Sequence, residues 1–186
     1  NLRLINSFKR GEDLGINWEK LETGTQNLDL YFSMPYIYHI VGADGTFQLY
    51  KKDTTYLNLM TNLGVLFTFN GRNYIKAFYE NRSSSLLQSD GFENMTVLPD
   101  YADFKYNLYG VGLFYEQYDY IYNPLKGYSI KFKVSTGKKQ IQKNPKIDET
   151  LYQDVDLITN RFEGMITSNI FIPVLSKLCL KFENHS

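Results

Sequence analysis

The segment from Asp119 to Gly137 constrains the fold most, because it joins a tight turn to a strand with two unlike faces. Successive side chains of a strand point to opposite faces. One face would carry Tyr128, Ile130, Phe132 and Val134, and the other would carry Ser129, Lys131, Lys133 and Ser135. This pattern suits a soluble sheet whose apolar face covers a core. It equally suits a membrane β-barrel whose apolar face meets lipid and whose lysines line a wet lumen.

Strand length favours the barrel. Residues 55–69 and 74–87 alternate apolar and polar side chains on either side of Asn70-Gly71, a dipeptide typical of tight hairpins. At about 3.3 Å per residue these strands are some 45 Å long, whereas strands of globular domains usually stop near five or six residues. The lipid-facing side of the first strand is predicted to carry Leu57, Leu59, Leu63, Val65 and Phe67. The length therefore indicates an antiparallel transmembrane β-barrel.

The whole chain reads as all-β, with about ten strand-like segments and no convincing helix. The predicted strands are Leu2–Phe8, Leu14–Leu21, Leu28–Met34, Thr46–Lys52, Thr55–Phe69, Tyr74–Leu87, Asp103–Tyr120, Tyr128–Gly137, Asp154–Val174 and Lys177–Glu183. Pro35 is expected to end the third strand, and Asp44-Gly45 is expected to form the turn before the fourth. The two longest loops, 88–102 and 138–153, fall at one end of the sheet, as in bacterial outer-membrane barrels.

The turn with Asn123, Pro124 and Gly127 falls at the opposite end, which is the periplasmic end in such barrels. Charged residues of the strands are expected to face the lumen, namely Lys76, Glu80, Lys131 and Lys133. A lysine costs little in water, but at mid-depth on a lipid-facing surface it costs about 2–4 kcal/mol. The chain has 16 Tyr and 13 Phe, and rings with a polar tip favour the membrane interface.

Composition and motifs exclude several function classes. The formal net charge is zero and no basic tract occurs, so a nucleic-acid partner has no electrostatic support. Neither His39 nor His185 lies near a second ligand at metal spacing, and Cys179 is the single cysteine. No His or acid forms a catalytic triad with Ser83-Ser84-Ser85. We therefore expect no enzyme activity, no metal and no cofactor.

Several stretches resemble the early barrel strands of the BamA/TamA superfamily, the bacterial surface antigen family. They are Gly15–Glu19, Gly24–Leu28, Met34–Tyr36, Tyr79–Ser84, Asn107–Leu113 and the turn from Asp119 to Tyr128. The resemblance covers nearly the whole chain and lies in patterning and turns. It implies localisation in the outer membrane of a Gram-negative cell. It also implies a non-enzymatic role in the assembly, insertion or export of outer-membrane proteins.

By this resemblance, residues 1–186 form a single β-barrel domain or a fragment of one, comparable to ten strands of a sixteen-stranded barrel. The implied partners are outer-membrane lipid, client outer-membrane proteins and accessory assembly proteins. The chain departs from the family in lacking a POTRA domain, the Arg-Gly-Phe loop motif and a terminal aromatic residue. Two alternatives stay open: a passive outer-membrane pore, and a soluble β-sheet domain that binds a partner.

Overall fold

The protein is described by a computed structural model. It covers residues 1–22, 24–53, 55–70, 72–87, 103–143, 152–153, 155–175 and 178–185. The strands are β1 (Leu2–Ile5), β2 (Asp13–Glu22), β3 (Thr25–Tyr38), β4 (Val41–Lys52), β5 (Tyr56–Phe69), β6 (Asn73–Leu86), β7 (Phe104–Tyr118), β8 (Gly127–Ile141), β9 (Ile158–Leu175) and β10 (Leu178–His185). The predicted all-β class is confirmed.

The ten strands form one antiparallel sheet in the order β1 to β10, so each strand pairs with its neighbours in sequence. The sheet is open, since no pairing joins β1 to β10 among the described residues. The long connections 87–103 and 142–157 leave the same end of the sheet, as expected. The predicted loop 88–102 lies entirely outside the described residues. No helix in the described part of the chain is long and apolar enough to span a membrane.

The hairpin of β5 and β6 follows the sequence pattern closely. Every residue from Tyr56 to Phe69 pairs with β6, and the register runs unbroken from Tyr56 opposite Leu86 to Phe69 opposite Asn73. Asn70 has a φ of 45°, the left-handed conformation that tight hairpin turns require. The prediction of two long strands joined at Asn70 is therefore confirmed, while Gly71 lies outside the described residues.

The prediction that Pro35 ends the third strand is wrong. β3 continues to Tyr38, and its register to β4 shifts between Met34 and Tyr38. A proline, which has no N–H to donate, is tolerated at a bulge where the ladder is already interrupted. The Thr68 hydroxyl lies 3.5 Å from the Pro35 carbonyl, and the Thr68 N–H donates to Ile40 at 2.7 Å. The neighbouring strand therefore supports the irregular segment.

The prediction of a turn at Asp44-Gly45 is also wrong, because both residues lie inside β4. The chain reverses instead around His39, which has a φ of 50°. The aromatic ring of Phe32 covers Gly45, so that a Cβ placed there would lie 2.2 Å from a ring carbon. The glycine therefore provides room for a ring on the neighbouring strand and does not form a turn.

Other strand ends also differ from the sequence expectations, including those of β1, β3, β8 and β9. β1 stops at Ile5, since Asn6 and Lys9 have positive φ and the Glu12 carboxylate accepts hydrogen bonds from the Phe8 and Arg10 N–H groups. β8 extends to Ile141, so Lys138, Lys139 and Gln140 belong to the strand and not to the predicted loop. All three pair with both β7 and β9, and this backbone pairing outweighs their polar character.

The sheet curves towards one of its faces. Leu66, Phe78 and Leu108 are buried on that face although no second layer of secondary structure covers it in the described part of the chain. Arg82 of β6 contacts Glu163 of β9 at 3.1 Å, across two intervening strands. Those backbones would lie roughly 14 Å apart in a flat sheet. Curvature explains both the burial and the contact.

The ring of Phe78 on this face lies against Gly110 of β7. A Cβ on Gly110 would lie 2.3 Å from the Phe78 ring and 2.4 Å from the Val134 carbonyl oxygen. We expect Gly110→Val to lower the free energy of unfolding by about 1–3 kcal/mol, because one of these groups must move. Gly112→Ala is the control, since its Cβ would meet no atom closer than 3.4 Å. Denaturant unfolding checks the difference, and equal midpoints would contradict it.

Candidate functional site

The surface on the outside of the curve, here called the apolar face, carries uninterrupted rows of apolar residues. One row crosses seven strands from β3 to β9 and consists of Tyr38, Val41, Phe67, Ile75, Leu113, Phe132 and Ile166. The next row consists of Met34, Ala43, Val65, Ala77, Val111, Val134 and Gly164. Neither row contains a charge, and Val111 at its centre is 50% exposed.

Two pairs of tyrosines lie on either side of these rows along the strand direction. Tyr79 and Tyr109 have ring centroids 5.1 Å apart on one side, and Tyr115 and Tyr128 have centroids 5.9 Å apart on the other. From Tyr109 to Tyr115 the strand rises about 20 Å at its usual 3.4 Å per residue. The apolar band of outer-membrane barrels is about 25 Å tall and has aromatic girdles on both sides. The spacing of the two tyrosine pairs is therefore close to the height of that band.

The residues predicted to face lipid all share this face. Leu63, Val65, Phe67, Tyr128 and Ile130 are between 39% and 49% exposed. The remaining four are partly exposed: Leu57, Leu59, Phe132 and Val134. Single exposed apolar residues are normal on proteins, but contiguous patches of this extent mark surfaces that are covered by a partner or a membrane.

The opposite surface, here called the polar face, is organised around Glu80. Its side chain is fully buried, and its Oε2 accepts hydrogen bonds from Asn62 at 2.8 Å and Lys133 at 3.0 Å. Arg82 donates to the other carboxylate oxygen. Three donors from three strands thus meet one carboxylate. A buried charge needs such partners, because an unpaired one costs several kcal/mol.

The network extends from Glu80 towards both sides of the sheet. Lys76 of β6 contacts Asp44 of β4 at 2.7 Å and donates to the side-chain amide oxygen of Asn62, Oδ1, at 3.0 Å. Arg82 contacts Glu163 of β9, and Glu163 also accepts from Arg161 at 3.2 Å. The polar face is therefore connected from β4 to β9 by side chains alone.

The four residues predicted to face the lumen share the polar face, but they differ in their contacts. The structure brings Lys76, Glu80 and Lys133 into the network. Lys131 is exposed and makes no hydrogen bond or ion pair with any described residue. Asp44, Arg82 and Glu163 were not among the site residues predicted from the sequence. Arg82 could have been predicted, because it follows Glu80 by two residues on one strand and therefore shares its face. The contact between Arg82 and Glu163 could not, because it depends on the register of three strand pairs.

The turn between β7 and β8 is held by one carboxylate. Asp119 Oδ1 accepts hydrogen bonds from the N–H groups of Tyr120, Leu125 and Lys126 at 2.9–3.1 Å. Gly127, which begins β8, has a φ of 128° that other residues rarely adopt. Asn123 and Pro124 lie within this turn, as predicted, and the Pro124 carbonyl lies 3.5 Å from Cys179 Sγ. The Asp119 carboxylate and the backbone conformation of Gly127 therefore fix the shape of this turn.

The turn should respond to acid. Lost hydration raises the pKa of the Asp119 carboxyl, but the N–H groups of Lys126, Tyr120 and Leu125 outweigh that effect and hold the pKa below its ordinary value of 3.8. The stability contributed by this carboxylate is therefore present above pH 3.8 and is lost as pH falls through the lower folded-state pKa. We expect the amide proton shifts of Leu125 and Lys126 to titrate with a midpoint below 3.8. The control Asp119→Asn should abolish that titration, and a midpoint above 3.8 would contradict the account.

Both histidines of the chain, His39 and His185, lie among the described residues. No three His, Cys, Asp or Glu side chains among them form a group able to hold a metal ion. His185 contacts Glu183 at 2.9 Å on β10, and His39 stacks edge-on against Tyr38. Both histidines therefore have local structural contacts.

No protein-family model, curated protein or solved structure matches this chain.

Proposed function

We propose that this chain is part of the wall of a transmembrane β-barrel in a bacterial outer membrane. One observation carries the proposal: an uncharged apolar band about 20 Å tall crosses seven strands between two tyrosine pairs. The opposite face carries a buried ion network suited to a wet lumen. A soluble β-sheet binding domain would need a partner covering most of this band, and solubility without detergent would favour that alternative.

We further propose, from the resemblance to the BamA/TamA superfamily, that the protein acts in the assembly, insertion or export of outer-membrane proteins. An open sheet presents strand edges whose N–H and C=O groups can pair with an incoming strand. Such templating is non-covalent and needs no catalytic group or cofactor. The clients would be other outer-membrane barrels, with accessory assembly proteins as partners.

Depletion of the full-length protein tests the assembly role. The amounts of other folded outer-membrane barrels should fall, because their strands would lack a template for insertion. Restoring wild-type protein is the control and should return them to their former level. Unchanged amounts after depletion would contradict the assembly role while leaving the membrane-spanning architecture intact.

A second candidate function, a passive pore, is favoured by the excess of cations near the centre of the polar face. Lys131 is unpaired among the described residues, and Lys76 and Lys133 lie on the same surface. In planar bilayers such a pore should prefer anions. The substitutions Lys131→Glu and Lys133→Glu should then shift selectivity towards cations. Absence of steady conductance would rule out this second function.

A further inference from the structure

The polar face contains a recess of about 240 Å³ between β4 and β9. Its lining brings together three ammonium groups, those of Lys76, Lys131 and Lys133, and the carboxylate of Asp44. Gly112 leaves the recess open, since a Cβ there would touch nothing closer than 3.4 Å. The space is large enough for a small hydrated or partly dehydrated anion.

The charges in and around the recess do not balance. Asp44 neutralises Lys76 at 2.7 Å, and Glu80 neutralises Lys133 at 3.0 Å. Lys131 keeps three N–H donors without an acceptor in the described part of the chain. Glu163, the remaining carboxylate of the network, is already paired with Arg82 and Arg161. The positive charge of Lys131 therefore has no counter-charge among the described residues.

The surroundings of the recess strengthen the attraction for an anion. Lys133 Nζ lies 4.6 Å from the centre of the Phe78 ring, and Phe78 is only 6% exposed. An apolar wall lowers the local dielectric constant, so a nearby charge attracts a counter-ion more strongly than in bulk water. Ammonium groups form charge-assisted hydrogen bonds with oxyanions, which are about twice as strong as neutral ones.

From this geometry we infer that the recess is a binding site for a compact oxyanion of phosphate type, held by Lys131 and Lys133 above Phe78. The inference rests on the proposed function in one respect, that the polar face is open to water. The ligand would be a soluble solute or an anionic group on a passing chain, and its oxygens would accept from the donors that Lys131 leaves unused.

Calorimetric titration of the full-length protein in neutral detergent with inorganic phosphate, at constant ionic strength maintained with chloride, tests the site. Wild-type protein should show saturable binding. Lys131→Gln should weaken it about tenfold, equivalent to about 1.4 kcal/mol, because glutamine retains an amide donor but loses the charge. Gly112→Leu should weaken it as well by filling the recess, although it removes no charge.

Lys139→Gln is the matched control, because Lys139 lies on the same strand and face but outside the recess, near Phe104 and Tyr106. Its affinity should equal that of wild type. Absence of saturable binding, or equal losses for Lys131→Gln and Lys139→Gln, would overturn the inference. Neither result depends on the presence of a lipid bilayer. The proposal that the chain spans a membrane is therefore tested separately, by the measurements in bilayers.

Discussion

Replacing Glu80 with glutamine is expected to lower the free energy of unfolding by about 3 kcal/mol, the largest effect of any substitution on the polar face. The change keeps the shape of the side chain but removes the charge that Lys133 and Arg82 share. Removing one partner of a buried ion pair leaves the other charge uncompensated, at a cost of about 3–5 kcal/mol. We expect a loss at the lower end of this range, because Arg82 keeps its ion pair with Glu163 and the side chains of Arg82 and Lys133 are both partly exposed. Denaturant unfolding of the protein in micelles measures the loss.

A double substitution separates the ion network from simple packing. Glu80→Gln combined with Lys133→Met removes both charges, and should recover part of the stability lost in the single variant. Glu183→Gln is the control, since Glu183 lies on the same face but is 42% exposed. Its effect should stay within about 0.5 kcal/mol. A Glu80→Gln variant as stable as this control would contradict the central place of Glu80.

Replacing Val111 with arginine is expected to cost about 2–4 kcal/mol when the protein folds in a bilayer, because the charge would lie at mid-depth in lipid. Val111 is half exposed and occupies the centre of the uncharged row on the apolar face. On a soluble protein, substitution at such an exposed site stays within about 0.5 kcal/mol. Refolding into liposomes across a denaturant series measures the difference.

Gln48→Arg is the matched control for this experiment. Gln48 is an exposed residue of β4 on the polar face, where an added arginine would remain in water. Its cost should be within about 0.5 kcal/mol in the same liposomes. Equal small effects for Val111→Arg and Gln48→Arg would indicate that both faces are hydrated, and the apolar face would then require another explanation.

Local patterning was enough to predict the long strands. Alternation from Leu57 to Phe69 and the turn signal at Asn70 depend only on neighbouring residues, and the structure confirms both. The placement of Lys76 and of Lys133 on the face opposite the apolar side chains of their own strands also follows from a period of two. These features could be predicted because the information lies within a few residues of each position.

Features that depend on neighbouring strands could not be predicted in this way. Gly45 follows Asp44 as in a hairpin turn, yet the ring of Phe32 on β3 occupies the space above it. Pro35 remains within a strand because a register shift relieves its missing N–H. The contact between Arg82 and Glu163 requires the curvature of the sheet as well as its register. None of these three is encoded in local sequence.

The central claim is that the two faces of β8 meet different solvents. Spin labels introduced by Ile130→Cys and Lys131→Cys, each in a Cys179→Ser background, test it in reconstituted bilayers. Both positions are exposed and adjacent, but they point to opposite faces. The account predicts that the label at 130 relaxes with oxygen dissolved in lipid and the label at 131 with a water-soluble nickel complex. Equal accessibility of both labels to the nickel complex would contradict it.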